Sequence, residues 1–362
     1  MKMLLLGDVC PRINGQYFKD KDMKTLFENT LPIFEGNDYT LVNLECALTE
    51  HTEKIDKYGP ALKAPVETAE VLKSIGVDCC GLSNNHVFDF GKKGIRDTLE
   101  ALEKNGIAYT GFGDNYEDSR KNLVIERDGQ RIAIIAVCEH EYSYALENRM
   151  GSRPYDEYDT IEDVRKAKET CDRVIVTYHG GKEYSRYPSP RLYKLCHALV
   201  KNCADVVLCQ HSHCIGCYEK FMDGHILYGQ GNFHFNEKSS FDGWYTSLTV
   251  KYDTKTNEIE FSPLKDTEYG IIIPEKEEYD EIMNAFHSRN EELKNGKWIE
   301  GWKAFCEWQK PTYFNCVAKA FAPGSTPRED GKFSHFLDCE AHTDVWREIF
   351  PSLNLTNCLD EE

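Results

Sequence analysis

The chain has 362 residues with 61 acidic and 43 basic side chains, which give a formal net charge of −18. Hydrophobic residues make up 41% of the sequence, which supports a packed core and excludes a wholly disordered chain or a coiled coil. The acidic excess argues against a protein that binds DNA or RNA through the phosphate backbone, because that mode needs a basic surface.

Short apolar runs alternate along the chain with helical patterns, which is typical of a layered α/β fold. The predicted strands are residues 2–6, 39–43, 77–82, 131–137, 173–178, 206–209, 225–228, 247–252 and 258–261. The predicted helices are residues 65–75, 94–105, 160–170 and 190–202. Asp128-Gly129 and Asp223-Gly224 each lie between two apolar runs and are predicted hairpin turns.

The sequence changes in character after residue 264. Residues 265–362 hold 20 acidic and 11 basic side chains, so about a quarter of the chain carries half of the net charge. Apolar and aromatic side chains recur there at helical spacing, at Tyr279, Ile282, Met283 and Phe286 and again at Trp298, Trp302 and Phe305. We predict an α/β domain at residues 1–264 and an acidic, mainly helical C-terminal extension at residues 265–362, whose aromatic side chains pack.

No apolar run reaches the roughly 18–20 residues of a membrane span, and the N-terminal apolar stretch is too short for a signal-peptide core. The fifteen cysteines cannot all pair. Several lie in apolar segments, as buried reduced cysteines do, so we expect a reducing, cytoplasmic location. The spacing of Cys214-x-x-Cys217 also suits zinc or redox chemistry, but a second pair is missing and packing is the simpler interpretation.

Metal-capable residues follow the ends of five predicted strands, at Asp8, Glu45, Asn84-Asn85-His86, His179 and His211-x-His213. Because the carboxyl ends of strands in an α/β fold form its binding sites, we expect these residues to lie together. Alternation along an extended segment would place both rings of the His-x-His pair on one side. Each residue alone has a simpler interpretation as a turn, cap or buried polar residue. Together they predict a metal site, since carboxylate, amide and imidazole groups bind divalent ions.

Other polar residues near these strand ends are candidates for supporting roles. Candidates to bind the metal or support its ligands are Cys10, Asn84, Asp89 and His140. Candidates to contact an anionic substrate are Arg12, Lys182, Glu183 and Arg186.

At these residues the sequence resembles the CapA-type poly-γ-glutamate biosynthesis proteins of the calcineurin-like metallophosphoesterase superfamily. The matching segments within residues 1–240 are Gly7-Asp8-Val9, Asn43-Leu44-Glu45, residues 83–91, 179–184 and 188–190, Ala204-Asp205-Val206-Val207, His211-Ser212-His213 and residues 229–233. The resemblance implies a four-layer α/β/β/α sandwich with a metal site at the strand ends.

The resemblance also implies individual roles. Glu45 would bridge two ions; Asp8 and His213 would bind one of them, and Asn85, His179 and His211 the other. His86 would stand at the position of the superfamily's proton donor. The sequence departs from the superfamily pattern at three positions, where Cys10 replaces a histidine, Glu45 an aspartate and Gln210 a glycine. The missing histidine leaves a centre with one ion as an alternative, and a Cys10 thiolate would favour zinc or iron.

Three functional interpretations remain open. In the first, the protein is a metal-dependent hydrolase linked by resemblance to capsule biosynthesis. Hydroxide on one or two Mn, Fe or Zn ions would attack a phosphoester or a γ-glutamyl amide, with His86 as general acid. In the second, it is a non-catalytic protein that binds a polyanion or a synthase partner through the metal. In the third, these residues only support the sheet. The first two predict an anionic small-molecule or polymer partner.

Overall fold

The computed structural model describes residues 1–12, 14–139 and 141–350. Its strands are β1 Lys2–Val9, β2 Tyr39–Leu44, β3 Ala47–Leu48, β4 Lys63–Ala64, β5 Cys79–Gly81, β6 Ala108–Thr110, β7 Phe112–Gly113, β8 Leu123–Arg127, β9 Gln130–Cys138, β10 Gly151–Ser152, β11 Arg173–His179, β12 Val206–Gln210, β13 Tyr218–Phe221, β14 Gly224–Leu227, β15 Asn232–His234, β16 Thr246–Asp253, β17 Glu258–Asp266 and β18 Ile271–Ile272. Its α-helices are α1 Gly15–Asp20, α2 Met23–Phe27, α3 Leu31–Phe34, α4 Thr68–Ser74, α5 Gly91–Lys104, α6 Tyr116–Ser119, α7 Glu157–Thr170, α8 Pro190–Lys201, α9 Lys276–Lys294, α10 Trp298–Ala320, α11 Pro327–Asp338 and α12 Glu340–Ile349.

Two large sheets form the centre of the fold. The first has the strand order β18-β17-β16-β1-β2-β5-β6, with β15 beside the end of β1, and its strands β1, β2, β5 and β6 are parallel. The second has the order β13-β14-β12-β11-β9-β8, and its four central strands are parallel. Both predicted turns join antiparallel hairpins, β8–β9 and β13–β14.

The two sheets pack face to face, and helices cover their outer faces. Along β1, Met3 and Leu5 point into a cluster shared with the second sheet, whereas Leu4 and Leu6 point toward the helices α1, α2, α4 and α5. The outer face of the second sheet packs on α7, α8 and the end of α9. A strand that is buried on both faces needs a continuous apolar run, which explains the sequence of β1. The predicted α/β/β/α sandwich is therefore confirmed.

The C-terminal region contributes to both the sheet and a helical bundle. The predicted boundary after residue 264 falls within β17, and β18 pairs with that strand, so helical structure begins only at Lys276. The helices α10, α11 and α12 surround a core of their own that includes Trp302, Tyr313 and Phe336. In the described part of the chain, no helix has the length and apolar character needed to cross a membrane.

Candidate metal centre

The carboxyl ends of strands from both sheets supply the candidate ligands. Asp8 lies near the end of β1 and Glu45 directly follows β2. His179 is the last residue of β11, and His211 and His213 follow β12. All five are buried, with exposed fractions between 0% and 4%. The structure thus brings the five side chains together at the strand ends.

Two groups of side chains have the geometry to hold a metal ion. Glu45, His179 and His211 offer ligand atoms that all lie within 4.8 Å of one another, and so do Asp8, Glu45 and His213. Glu45 belongs to both groups, which is where a bridging carboxylate would stand. Asn85 adjoins the first group, because its Oδ1 lies 2.9 Å from His179 Nε2.

The ion-pair partners of these carboxylates among the described residues are histidines, which carry a charge only when protonated. Both oxygens of Glu45 are buried without a hydrogen bond from the described residues, and Oε1 lies 3.2 Å from His179 Nε2. Burial and the charge of Glu45 raise the pKa of Asp8 to about 6, and burial raises the pKa of Glu45. Such buried anions are costly unless a cation accompanies them. The residues therefore fit a divalent metal, which would supply that cation.

The metal-free centre favours opposite protonation states at two of its imidazoles, the neutral form at His179 and the protonated form at His213. Burial lowers the pKa of His179 to about 4, so this ring is neutral at pH 7. Burial also acts to lower the pKa of His213. The carboxylates of Glu45 and Asp8 outweigh this effect, so the pKa of His213 is raised. A set of imidazole and carboxylate ligands favours manganese, iron or zinc over calcium.

Two asparagines outside the predicted ligand set orient the ligands. Asn43 Nδ2 donates to Asp8 Oδ1 at 2.7 Å and lies 3.1 Å from His179 Nδ1. Asn232 Nδ2 donates to a backbone carbonyl, so its Oδ1 accepts from His213 Nδ1 at 2.8 Å and leaves Nε2 of that ring for a metal. Both asparagines lie inside the sequence segments that carry the family resemblance, and this position is the signal from which their roles could have been predicted.

The His-x-His segment reaches the centre by a different backbone from the predicted one. His211 and His213 have φ values of 77° and 53°, in the left-handed region, so the prediction of an extended segment was wrong. The chain turns sharply after β12, where the His211 N–H donates to Asp8 Oδ2 at 3.1 Å. The two rings still converge, with centroids 5.7 Å apart. Non-glycine residues tolerate such backbone where surrounding contacts enforce it.

His86 stands beside the centre with two charged partners. Its Nδ1 lies 2.7 Å from Asp89 Oδ2, and Lys57 forms an ion pair with the same carboxylate. Burial and the charge of Lys57 lower the pKa of His86. Among the described residues nothing hydrogen-bonds to Nε2 of His86, and the residue lines a cavity. Asp89, which also accepts from the Leu62 N–H, therefore orients His86 and lies outside both ligand groups.

Cys10 packs in the hydrophobic core, and Asn84 forms hydrogen bonds that hold the backbone. Cys10 lies in the hydrophobic cluster of the first sheet, where burial and the neighbouring Cys46 thiol raise its pKa well above the usual range. It belongs to neither ligand group of the described residues. Asn84 Nδ2 donates to the Leu44 carbonyl at 2.8 Å, and its Oδ1 accepts from the backbone of the following turn. His140 lies outside the described residues.

The candidate substrate contacts separate into two pairs. Lys182 and Glu183 line a cavity of about 710 Å³ that also reaches His86 and His213. Arg12 pairs with Glu237 at 2.8 Å, and Arg186 pairs with Asp242 at 3.3 Å. Neither arginine is among the described residues that line this cavity. The cavity's remaining wall includes residues of α11, which sequence patterns do not connect with the site.

Comparison with known proteins agrees with the resemblance. The family described as bacterial capsule synthesis protein PGA_cap matches residues 2–237. The capsule biosynthesis protein CapA of Bacillus anthracis is 29% identical over 275 residues, which are 71% of this chain and 64% of that protein. The PGA biosynthesis protein CapA of Bacillus subtilis is 29% identical over 262 residues, which are 70% of this chain and 66% of that protein. The matched part thus spans somewhat less than two thirds of these relatives.

A crystal structure of a 5'-nucleotidase from Candida albicans aligns with a TM-score of 0.42 at 10% identity, over 86% of this chain and 58% of that one. The family match is the stronger finding, because it covers most of the α/β sandwich and every residue of the two ligand groups. This chain belongs to the bacterial capsule synthesis protein family PGA_cap.

Proposed function

We propose that this protein is a metal-dependent hydrolase that cleaves an anionic substrate, a γ-glutamyl amide or a phosphoester. One observation carries the proposal: two buried ligand groups share Glu45, and they lie next to a cavity that His86 also lines. Metal ligands, a titratable group and room for a substrate therefore occur together, which is the combination that hydrolytic metal sites need.

The ligands divide between two positions. Asp8, Glu45 and His213 would hold one ion, and Glu45, His179 and His211 the other, with Asn85 beside the second. A divalent ion supplies a Lewis acid that polarises a substrate oxygen and lowers the pKa of water. Asn43 and Asn232 would keep the ligands in place through the hydrogen bonds already described.

His86 would deliver a proton to the leaving group from Nε2. Its Nδ1 is engaged with Asp89, so Nε2 is the nitrogen that remains for a substrate in the cavity. The free protein holds His86 neutral at pH 7, because burial and Lys57 lower its pKa. An anionic substrate would favour the imidazolium, as Asp89 does, so protonation would accompany substrate binding.

The substrate class follows from charge and from the relatives. Lys182 gives the cavity a buried cation, with its Nζ 3.3 Å from Glu183 Oε2. Two relatives are named for capsule or PGA biosynthesis, and PGA is an anionic polymer with a carboxylate on every residue. We infer that the γ-glutamyl linkage of such a polymer is the first bond to test, and phosphoesters the second.

The test is to load the purified protein with Mn²⁺, Zn²⁺ or Fe²⁺ and measure bound metal, then assay γ-glutamyl oligomers, phosphomonoesters and phosphodiesters. We expect turnover of one substrate class that His86→Asn reduces by about 10²- to 10⁴-fold without loss of metal. His51→Asn is the matched control, since His51 is half-buried outside the cavity and lies 3.9 Å from Glu53. Confirmed metal binding with no turnover of any substrate would refute catalysis.

A second function deserves a test because of Cys10. The group around Asp8 has only three side-chain ligands, and Cys10, at the position of the superfamily's histidine, lies in the hydrophobic cluster. A metal-dependent binding protein for a polyanion or a synthase would tolerate such a reduced ligand set. Binding of γ-glutamyl oligomers without cleavage, and full biological function of His86→Ala, would support this alternative.

A further inference from the structure

The helix α11 brings basic side chains from the C-terminal region to the cavity beside the metal centre. Arg328, Lys332 and His335 line this cavity together with His86 and Lys182. Arg328 and Lys332 stand four residues apart, so they lie on the same face of the helix. This helix lies outside residues 2–237, the part that matches the family. We propose that Arg328 and Lys332 form an anion subsite that holds a second carboxylate or phosphate of the substrate.

Arg328 and Lys332 differ in their pairing from two other basic residues of the acidic C-terminal bundle. Lys310 pairs with Glu307 at 3.0 Å, and Arg347 lies 3.6 Å from Asp344. Arg328 and Lys332 form no ion pair within the described residues, although the bundle as a whole is acidic. Two uncompensated cations that line one cavity would attract an anionic group there.

The position of α11 is fixed at both ends. Its first turn carries a complete capping box formed by Thr326 and Glu329, and Phe336 is buried in the core of the bundle. His335 stacks on Tyr142 of the α/β sandwich, with ring centroids 5.5 Å apart. The Nζ of Lys332 lies 5.2 Å from the centre of the Phe336 ring. The basic face is therefore held against the α/β sandwich, at the cavity.

The charges that line the cavity favour a ligand with more than one anionic group. The described lining residues include Lys57, Lys182, Lys238, Arg328 and Lys332, against two acidic residues. The first two are already paired, with Asp89 and Glu183. The cations of α11 are thus available to a group other than the one at the metal. Arginine binds carboxylate and phosphate through two parallel hydrogen bonds, so it selects such a group by geometry as well as charge.

The subsite deepens the proposed function and rests on it for the choice of substrate. A γ-linked glutamate chain would place one carboxylate on α11 while a neighbouring linkage lies at the metal centre. A polyphosphorylated substrate would offer the same chemistry. The C-terminal region would then determine which anionic substrates this chain accepts.

Direct binding tests the subsite without requiring turnover. The variant Arg328→Gln/Lys332→Gln removes both cations, and Lys297→Gln/Lys303→Gln removes the same charge from exposed positions of the bundle outside the cavity. Calorimetric titration with tri-γ-glutamate and with tripolyphosphate, in metal-loaded protein and in protein treated with chelator, compares the affinities. We expect the first variant to lose about tenfold affinity for each cation removed. The control should change by less than twofold.

The outcomes separate the subsite from the catalytic proposal. The same fold loss with and without metal supports a subsite distinct from the metal centre, and the probe that shows the loss identifies carboxylate or phosphate. Arg328→Lys should retain part of the affinity, since it keeps the charge but loses the planar donor pair. Equal affinity of both double variants for both probes, or no binding by the wild-type protein, would overturn the subsite. If the Arg328→Gln/Lys332→Gln variant binds the probes more weakly than the control but the wild-type protein turns over no substrate, only the proposed catalysis is overturned.

Discussion

Replacement of Asp8 by asparagine should stabilise the metal-free protein and reduce its stabilisation by metal, because Asp8 belongs to one of the two ligand groups. Burial and the nearby Glu45 raise the pKa of Asp8 from 3.8 to about 6. At about 1.4 kcal/mol per pH unit, this difference means that the ionised Asp8 costs the folded, metal-free protein about 3 kcal/mol at pH 7. Asparagine removes the charge and can still accept from Asn43 Nδ2, which donates to Asp8 Oδ1 at 2.7 Å.

The gain is smaller than the full electrostatic cost. The His211 N–H donates to the second oxygen of Asp8 at 3.1 Å, and the asparagine amide would face it with another donor. That mismatch costs about 1 kcal/mol, so we expect a net gain of about 2 kcal/mol at pH 7. Because the pKa of Asp8 is raised in the folded state, its unfavourable contribution is complete above pH 6 and vanishes below about pH 3.8. The variant should therefore lose its advantage as the pH falls from 7 to 4.

Urea unfolding in the presence of chelator, at pH 7 and at pH 4, measures these differences, and the same experiment with Mn²⁺ measures the metal's contribution. Asp89→Asn is a control for which we expect the opposite change in the free energy of unfolding. Burial would raise the pKa of Asp89, but the contacts with His86 and Lys57 outweigh it and lower that pKa, and the Lys57 side chain is only 4% exposed. That variant should lose about 3–5 kcal/mol at pH 7. If the metal-free Asp8→Asn protein is less stable than wild type at pH 7, and metal still stabilises it fully, then Asp8 is neither a costly buried charge nor a metal ligand.

Three further predictions concern the same centre. Metal affinity should fall by up to about tenfold per pH unit below pH 6, because protons compete for Asp8, and calorimetry across pH 5–7 measures it; a flat profile would exclude Asp8 as a ligand. Saturating metal at 100 times its dissociation constant should raise the free energy of unfolding by about 2.7 kcal/mol, and chelator should reverse this; unchanged stability would contradict a specific site. Asn232→Ala should weaken metal binding by about 10- to 100-fold, because it removes the acceptor 2.8 Å from His213 Nδ1, whereas the half-buried control Asn105→Ala should not.

The sequence predicts the layered fold and most of the centre because both depend on local patterns. The run Met3–Leu6 is apolar on both faces, as a strand between two layers must be. Asp8, Glu45 and His179 lie at or just beyond strand ends, and parallel strands bring such positions to one edge whatever the loops do. This inference needs only the order of strands and helices along the chain, and the spacing of apolar residues predicts that order.

The features of the site that the sequence does not predict depend on tertiary contacts. Lys57 meets His86 and Asp89 from a segment without regular secondary structure, and no spacing in the sequence connects them. Arg328 and Lys332 are distant in sequence from the strand ends, and only the docking of α11 brings them to the cavity. The left-handed backbone at His211 is likewise set by the turn after β12, since such backbone is uncommon for any residue other than glycine.

Anomalous diffraction from crystals of the manganese-loaded protein, with bound metal counted in solution, would locate the ions relative to Glu45. We predict bound manganese in contact with Glu45, with His179 and His211 on one side and Asp8 and His213 on the other, and ions about 3.5–4 Å apart where both positions are filled. Metal bound elsewhere, or no bound transition metal in protein that has been reloaded, would mean that these residues do not form a metal centre.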